Sequence, residues 1–95
     1  MVTDALVRTR LERIVHALDP AVQLAECRRA DCDGYAVRLT IEGASGRPLL
    51  VPARVLHRAL RRPFNPMARR ILTGVLAMNI QALRADLAAG DRKTA

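Results

Sequence analysis

Residues 35 to 42 carry the clearest structural pattern in the chain, because apolar side chains occupy every second position. The recurring apolar residues are Tyr35, Val37, Leu39 and Ile41. Successive side chains of a β-strand point to opposite faces of its sheet, so this period of two predicts a strand with one buried face. Such a face has to be covered by another layer, which limits the chain to a layered architecture.

Two more strands are predicted beside this one. Residues 21 to 28 have a weaker strand pattern, in which the charge of Glu26 interrupts the apolar face. Residues 43 to 46 have the composition of a short hairpin loop, and residues 47 to 51 follow as a third strand. Pro48 lacks a backbone N–H and therefore places this third strand at a sheet edge. Because the connections are short, we expect an antiparallel meander in the order 1-2-3.

Three helices are predicted around the sheet. Apolar residues at helical spacing predict the first over residues 4 to 18, with Thr3 as its N-cap. Prolines bound the second, over residues 52 to 62, and a long third helix runs from 66 to about 89, where Gly90 is expected at C′. The order α-β-β-β-α-α predicts an α+β fold. We expect a two-layer sandwich with a three-stranded antiparallel meander and the helices on one face.

Size and composition indicate one small domain. The 95 residues are enough for a single domain over 1–95, with 91–95 expected to be a flexible tail. Hydrophobic residues make up 51% of the chain, but Tyr35 and Phe64 are its only aromatic residues. The core is therefore aliphatic. An aliphatic core in so short a chain buries little area and is often supported by oligomerisation.

Charge is distributed unevenly along the chain. Its net charge is +7, yet residues 43 to 85 contain eight arginines and no acidic residue. A field of one sign selects partners of the opposite sign, such as nucleic acid or an acidic protein. The basic residues are fifteen Arg and one Lys, a bias typical of GC-rich bacterial coding. The alternative interpretation is therefore a solvated surface whose arginines reflect codon usage.

The second predicted helix carries the main candidate binding surface. Its arginines fall on one arc of a helical wheel, and two further arginines begin the next helix, where the helix dipole also favours anions. The candidate anion-binding residues are Arg54, Arg58, Arg61, Arg62, Arg69 and Arg70. Guanidinium groups bind phosphate and carboxylate through paired hydrogen bonds, so this set predicts a polyanion surface.

The long third helix has more apolar surface than one contact requires. One stripe consists of Met67, Ile71, Val75 and Met78, and another consists of Leu72, Leu76, Ile80, Leu83 and Leu87. If one stripe docks on the sheet, the other needs a second cover. We expect a homodimer whose interface includes Leu72, Leu76, Ile80 and Leu83. The alternative is that the first helix covers this stripe within one chain.

Sequence motifs give little support for catalysis, and we expect a non-enzymatic protein without cofactor or metal. There is no Gly-rich phosphate loop and no HExxH pattern. Cys27 and Cys32 are too few for a structural zinc site, and His16 and His57 lie far from them in sequence. The first residues lack the pattern of a secretory signal, and the longest uncharged run is too short for a bilayer. We therefore expect a cytoplasmic protein with reduced cysteines and no membrane association.

Two resemblances bear on the function. The order helix, three antiparallel strands, helix over residues 3 to 62 resembles double-stranded-RNA-binding domains. Those domains carry a Lys-rich cluster at the second helix, whereas this helix starts Pro52-Ala53-Arg54. The stretches 35 to 43 and 80 to 88 also resemble small uncharacterised proteobacterial proteins, and that resemblance implies no activity.

Single-strand recognition through base stacking is not favoured by the sequence. It uses aromatic platforms. With Tyr35 assigned to the core, only Phe64 remains.

The leading hypothesis is a small homodimeric binding module that uses its arginine surface on a polyanion. The alternative is a protein-interaction subunit that recognises its partner through the apolar C-terminal helix, with no nucleic-acid role.

Overall fold

The strand predicted from the alternating pattern lies at the centre of the sheet. The computed structural model describes residues 3–30 and 33–94, with side chains as far as residue 90. Along the chain the elements are α1 (Asp4–Leu18), β1 (Val22–Ala30), β2 (Gly34–Ile41), β3 (Ala44–Ser45), β4 (Leu49–Pro52), α2 (Ala53–Leu60) and α3 (Pro66–Thr94). This arrangement confirms the predicted α+β fold and its element order, with the third strand divided into β3 and β4.

The sheet is antiparallel, and β2 is its middle strand. β1 pairs with one edge of β2, and both β3 and β4 pair with the other edge. Residues 46–48 leave the ladder between β3 and β4, as expected where Pro48 has no N–H to donate. The β2–β3 turn is tighter than predicted, because Ile41 already pairs with Ala44. Its two central residues, Glu42 and Gly43, both have positive φ, as a type I′ turn requires.

β1 contains a β-bulge at the position where the sequence pattern is interrupted. Leu24 pairs with Leu39 and Glu26 pairs with Arg38, so the register shifts between Leu24 and Glu26. The Glu26 carboxylate lies 3.1 Å from the Arg38 guanidinium across the strands. The bulge lets β1 turn the charge of Glu26 to an ion pair on the sheet surface rather than into the core.

The core lies between the sheet and the helices. All four alternating residues of β2 are buried, as predicted. They pack against the buried residues of α1, which are Val7, Leu11, Ile14 and Val15. α2 adds Ala53, Leu56, Ala59 and Leu60. Thr3 caps α1 as predicted, with its Oγ1 accepting from the N–H of Leu6 at 3.2 Å.

The burial of the two apolar stripes of α3 is the reverse of what the predicted dimer interface requires. The stripe assigned to the interface is buried, and the other stripe is exposed. Leu72, Leu76, Ile80 and Leu83, the four residues assigned to a dimer interface, are 1%, 0%, 6% and 3% exposed within a single chain. On the other stripe, Met67, Ile71 and Met78 are 65%, 48% and 72% exposed. The assignment of these four residues to a dimer interface is therefore wrong, because a buried stripe offers no surface to a partner. A helical wheel separates the stripes, but only the direction in which α3 enters the fold determines which one meets the sheet.

The end of α3 also differs from the prediction. The helix does not stop at Ala89 but continues through Gly90 to Thr94. A glycine inside a helix costs only about 1 kcal/mol relative to alanine, which does not by itself end the helix. The backbone of residues 91–94 belongs to α3 and Ala95 lies outside the described residues, so the flexibility of 91–95 stays a prediction.

Candidate anion-binding site

The candidate site begins at the end of α2. This helix ends at Leu60, two residues earlier than predicted. Arg61 is the C-cap, with extended backbone angles and an N–H that donates to the carbonyl of His57 at 2.9 Å. Arg62 precedes Pro63, and a proline ring disfavours the helical conformation of the residue before it. Arg61 and Arg62 therefore leave the helix, and the predicted arc of four arginines is divided into two pairs.

Arg61 and Arg62 reach a cavity of about 210 Å³ next to α1. Three elements contribute basic side chains to it: α1, the α2–α3 connection and α3. The cavity is lined by Arg10, Arg13, Leu60, Arg61, Arg62, Phe64 and Arg69, a set that we call the arginine cavity. Within the part of the chain whose side chains are described, no acidic residue lines it.

Two of the five arginines are fixed by the end of α2. Nη1 of Arg10 donates to the carbonyl of Leu60 at 2.6 Å, and Nη1 of Arg69 donates to the carbonyl of Ala59 at 3.0 Å. The last carbonyls of a helix lack partners within it and carry its negative dipole, so cationic donors stabilise them. Each guanidinium has five N–H donors. Both side chains are thus held in place while they keep donors for a ligand.

The other three arginines have no anionic partner among the residues that the structure describes. The four ion pairs in the described part of the protein involve Arg8, Arg28, Arg38 and Arg84. None of these arginines lines the arginine cavity. Arg13, Arg61 and Arg62 are exposed, and among the described residues no side-chain hydrogen bond holds them. Guanidinium groups are cationic, so five positive charges converge with no acidic side chain of the described residues beside them, and they favour an anion.

The remaining predicted residues lie elsewhere. Arg54 and Arg58 line a separate groove of about 190 Å³ between α2 and the start of α3, and Arg70 is exposed on α3. Of the six candidates, the structure brings together Arg61, Arg62 and Arg69. Arg10 and Arg13 were missed because they lie in the part of the sequence where acids balance the arginines.

An exposed apolar surface lies on the side of α3 that faces away from the core. Leu50 of β4 is 59% exposed, and it borders a small cavity together with Val55, Ile71 and Val75. Val55 and Ile71 also line the groove that contains Arg54, Arg58 and Met67. We call Leu50, Val55, Met67, Ile71, Val75 and Met78 the apolar face. Its position was not predicted, because the interface had been assigned to the other apolar stripe of α3.

A buried tyrosine links three elements on the other side of α2. The hydroxyl of Tyr35 donates to Oδ1 of Asp4 at 2.9 Å and lies 3.0 Å from Nε2 of His57. Because the hydroxyl has one proton, His57 has to act as the donor in the second contact. Burial and the adjacent Asp4 carboxylate raise the pKa of Tyr35. The network joins α1, β2 and α2, and the Tyr35 hydroxyl both donates and accepts a hydrogen bond.

The described residues give little support for a metal site or a reactive thiol. Burial raises the pKa of Cys27, whereas a nucleophilic cysteine requires a lowered pKa. Cys32, the other cysteine of the chain, lies outside the described residues. Within residues 3–30 and 33–90, no three His, Cys, Asp or Glu side chains come together in a way that suits a metal ion. Over the same part of the chain, no helix combines the length and apolarity needed to cross a membrane.

Comparison with known proteins gives no assignment. The sequence matches no protein-family model, and searches of curated proteins and of solved structures find no similar chain. The resemblance to small proteobacterial proteins stays a prediction, and the functional argument depends on the site itself.

Proposed function

We propose that this protein is a non-enzymatic nucleic-acid-binding module that contacts phosphates through the arginine cavity. One observation carries the proposal: five guanidinium groups from three separate elements line one cavity, and no acidic side chain of the described residues lies among them. Phosphate contacts from arginine position a protein on nucleic acid and supply most of its non-specific affinity. An interaction of this kind requires no catalytic group.

The form of the cavity supports a polymer rather than an enclosed small molecule. Its volume of about 210 Å³ lies below the ~300–1,000 Å³ of pockets that enclose drug-sized ligands. It also opens to solvent beside Arg13, Arg61 and Arg62, which are exposed. A chain of phosphates can place one unit in such a cavity while its neighbours remain outside. Phosphate groups also match guanidinium donors in bidentate geometry, whereas the carboxylates of an acidic protein need a partner surface that reaches into the cavity.

Two double variants test the site, because the sequence supplies a matched pair of arginine pairs. R61Q/R62Q removes two charges from the arginine cavity, and R54Q/R58Q removes two from the separate groove. All four arginines are exposed, and at Arg54 and Arg58 glutamine also keeps helix propensity close to that of arginine, so both variants are expected to fold. Binding of a labelled oligonucleotide at low salt is expected to weaken in R61Q/R62Q and to change little in R54Q/R58Q.

Three results would contradict the proposed site. The wild type could fail to bind nucleic acid at low salt, the two variants could weaken equally, or R54Q/R58Q could weaken more. If the protein binds an acidic protein and not nucleic acid, the acidic protein is the polyanion partner.

We also propose that the protein is a homodimer through the apolar face. The support is the exposure of Leu50, Met67, Ile71 and Met78 on neighbouring elements of one side of the fold. Contiguous exposed apolar surface marks interaction sites in soluble proteins. The same surface supports the alternative function, in which the protein recognises a different protein partner and the arginines only maintain solubility.

Ile71→Asp tests this association. Ile71 is 48% exposed, so a charge there is expected to leave the fold intact while it disrupts a dry interface. Sedimentation at micromolar concentration should give twice the 10.5 kDa of one chain for the wild type and the monomer mass for the variant. Ala88→Asp, which is exposed further along α3, is the control and should remain dimeric. A monomeric wild type would contradict the homodimer.

A further inference from the structure

The arginine cavity contains Phe64, the more exposed of the chain's one phenylalanine and one tyrosine. Phe64 lines the cavity and is 49% exposed, whereas Tyr35, the other aromatic residue of the chain, is 1% exposed. Phe64 is not needed to complete the core, because the buried cluster does not include it.

The ring is supported by the groups around it. The guanidinium carbon of Arg69 lies 4.8 Å from the ring centroid, close enough for a cation–π contact. Arg69 itself is fixed by its hydrogen bond to the carbonyl of Ala59. The backbone of the connection is anchored on both sides of Phe64, by the Arg61 N–H to His57 and by the Asn65 N–H to Arg58 at 2.8 Å. The aromatic surface is therefore held in place next to the cationic groups.

A positively charged cavity with an aromatic surface matches the chemistry of an unpaired nucleotide. Its phosphates are attracted to guanidinium groups and its base stacks on an aromatic face, without regard to which base it is. A base inside a duplex is already stacked and paired, so its faces are not available. Recognition by stacking therefore separates single strands from duplexes, which phosphate contacts alone do not.

We propose that the arginine cavity binds single-stranded nucleic acid, with one base stacked on Phe64 and adjacent phosphates held by Arg13, Arg61 and Arg62. This inference rests on the proposed function and specifies the form of nucleic acid that the same site takes. Single-stranded DNA and RNA share the required chemistry, and the two are compared in the experiment. The sequence alone argues against stacking because it contains only two aromatic residues. The structure changes that assessment, since it places Phe64 among the cavity's arginines.

The experiment uses the full chain and three labelled probes: a twelve-nucleotide oligo-dT, the corresponding oligo-rU and a blunt twelve-base-pair DNA duplex. Phe64→Leu removes the aromatic face but keeps an apolar side chain, and Phe64→Tyr retains the face. Wild type is expected to bind the single strands more tightly than the duplex. Phe64→Leu should weaken single-strand binding roughly 5- to 150-fold, the range that the loss of one base–aromatic stack implies, with duplex binding unchanged. Phe64→Tyr should bind like the wild type.

The outcomes separate this inference from the function on which it rests. If Phe64→Leu binds single strands as the wild type does, or weakens single strands and duplex equally, stacking on Phe64 is wrong although phosphate binding stands. A preference of the wild type for duplex also overturns it. If no probe binds, or R61Q/R62Q binds all three as the wild type does, the arginine cavity itself is not the site. Thermal unfolding of both Phe64 variants confirms that they are folded.

Discussion

At the residue scale, Tyr35 is a buried side chain whose hydroxyl also makes polar contacts. Its position in the alternating pattern predicts burial, and the structure confirms it. The contacts of its hydroxyl with Asp4 and His57 could not be predicted, because these partners lie 31 and 22 residues away in sequence. A buried hydroxyl needs partners, so burial alone predicts that some exist but not which ones.

The hydroxyl of Tyr35 is expected to contribute modestly to stability. Tyr35→Phe keeps the buried ring and removes both hydrogen bonds, and water can solvate Asp4, which is exposed. We expect the free energy of unfolding to fall by about 0.5–1.5 kcal/mol, the usual net value of such a contact. Urea titration at pH 7 measures the change. An unchanged urea midpoint would show that these hydrogen bonds add no net stability to the packing of the ring.

The same residue predicts a loss of stability at alkaline pH. The pKa of Tyr35 is raised in the folded chain from its ordinary value of 10.0, so the folded state keeps a proton that the unfolded state releases. Its contribution is complete below pH 10 and declines as pH rises through the folded pKa. Between pH 9 and pH 11, stability should fall more in the wild type than in Tyr35→Phe. Parallel curves would contradict the raised pKa.

At the scale of elements, the boundary between α2 and α3 determines the site. The sequence predicts that α2 exists and where it starts. The predicted end of the helix lies two residues beyond the observed end. Because Arg62 lies before Pro63, the helix ends at Leu60, and Arg61 and Arg62 turn away from Arg54 and Arg58. An error of two residues in a boundary thus changes which arginines share a site.

The orientation of α3 supports a further prediction. Leu76 is fully buried within one chain, so Leu76→Ala is expected to lower the free energy of unfolding by about 2–5 kcal/mol. The loss should be independent of protein concentration, since the contacts removed are intramolecular. Chemical denaturation at two protein concentrations tests this result. A variant that dissociates to a stable monomer instead would place Leu76 at a subunit interface.

At the scale of the whole molecule, local patterns were sufficient for the fold but not for the site. Alternation in β2 and the helical spacing of apolar residues in α1 and α3 depend on neighbouring residues, and these elements were predicted. The arginine cavity combines Arg10 and Arg13 with residues some fifty positions later, and only the docking of α1 beside the end of α2 brings them together. Charge counted along the sequence located the basic half of the protein but left out the two arginines of α1.

The salt dependence of binding tests the central claim most directly. Each phosphate contact with a single strand releases a counterion, so the logarithm of affinity falls with the logarithm of salt concentration by about 0.7 for each contact. If Arg61 and Arg62 contact phosphates, the slope for oligo-dT should decrease in magnitude by about 1.4 in R61Q/R62Q. R54Q/R58Q should keep the wild-type slope. Equal slopes in all three proteins, or a decrease confined to R54Q/R58Q, would show that the arginine cavity does not bind the phosphates.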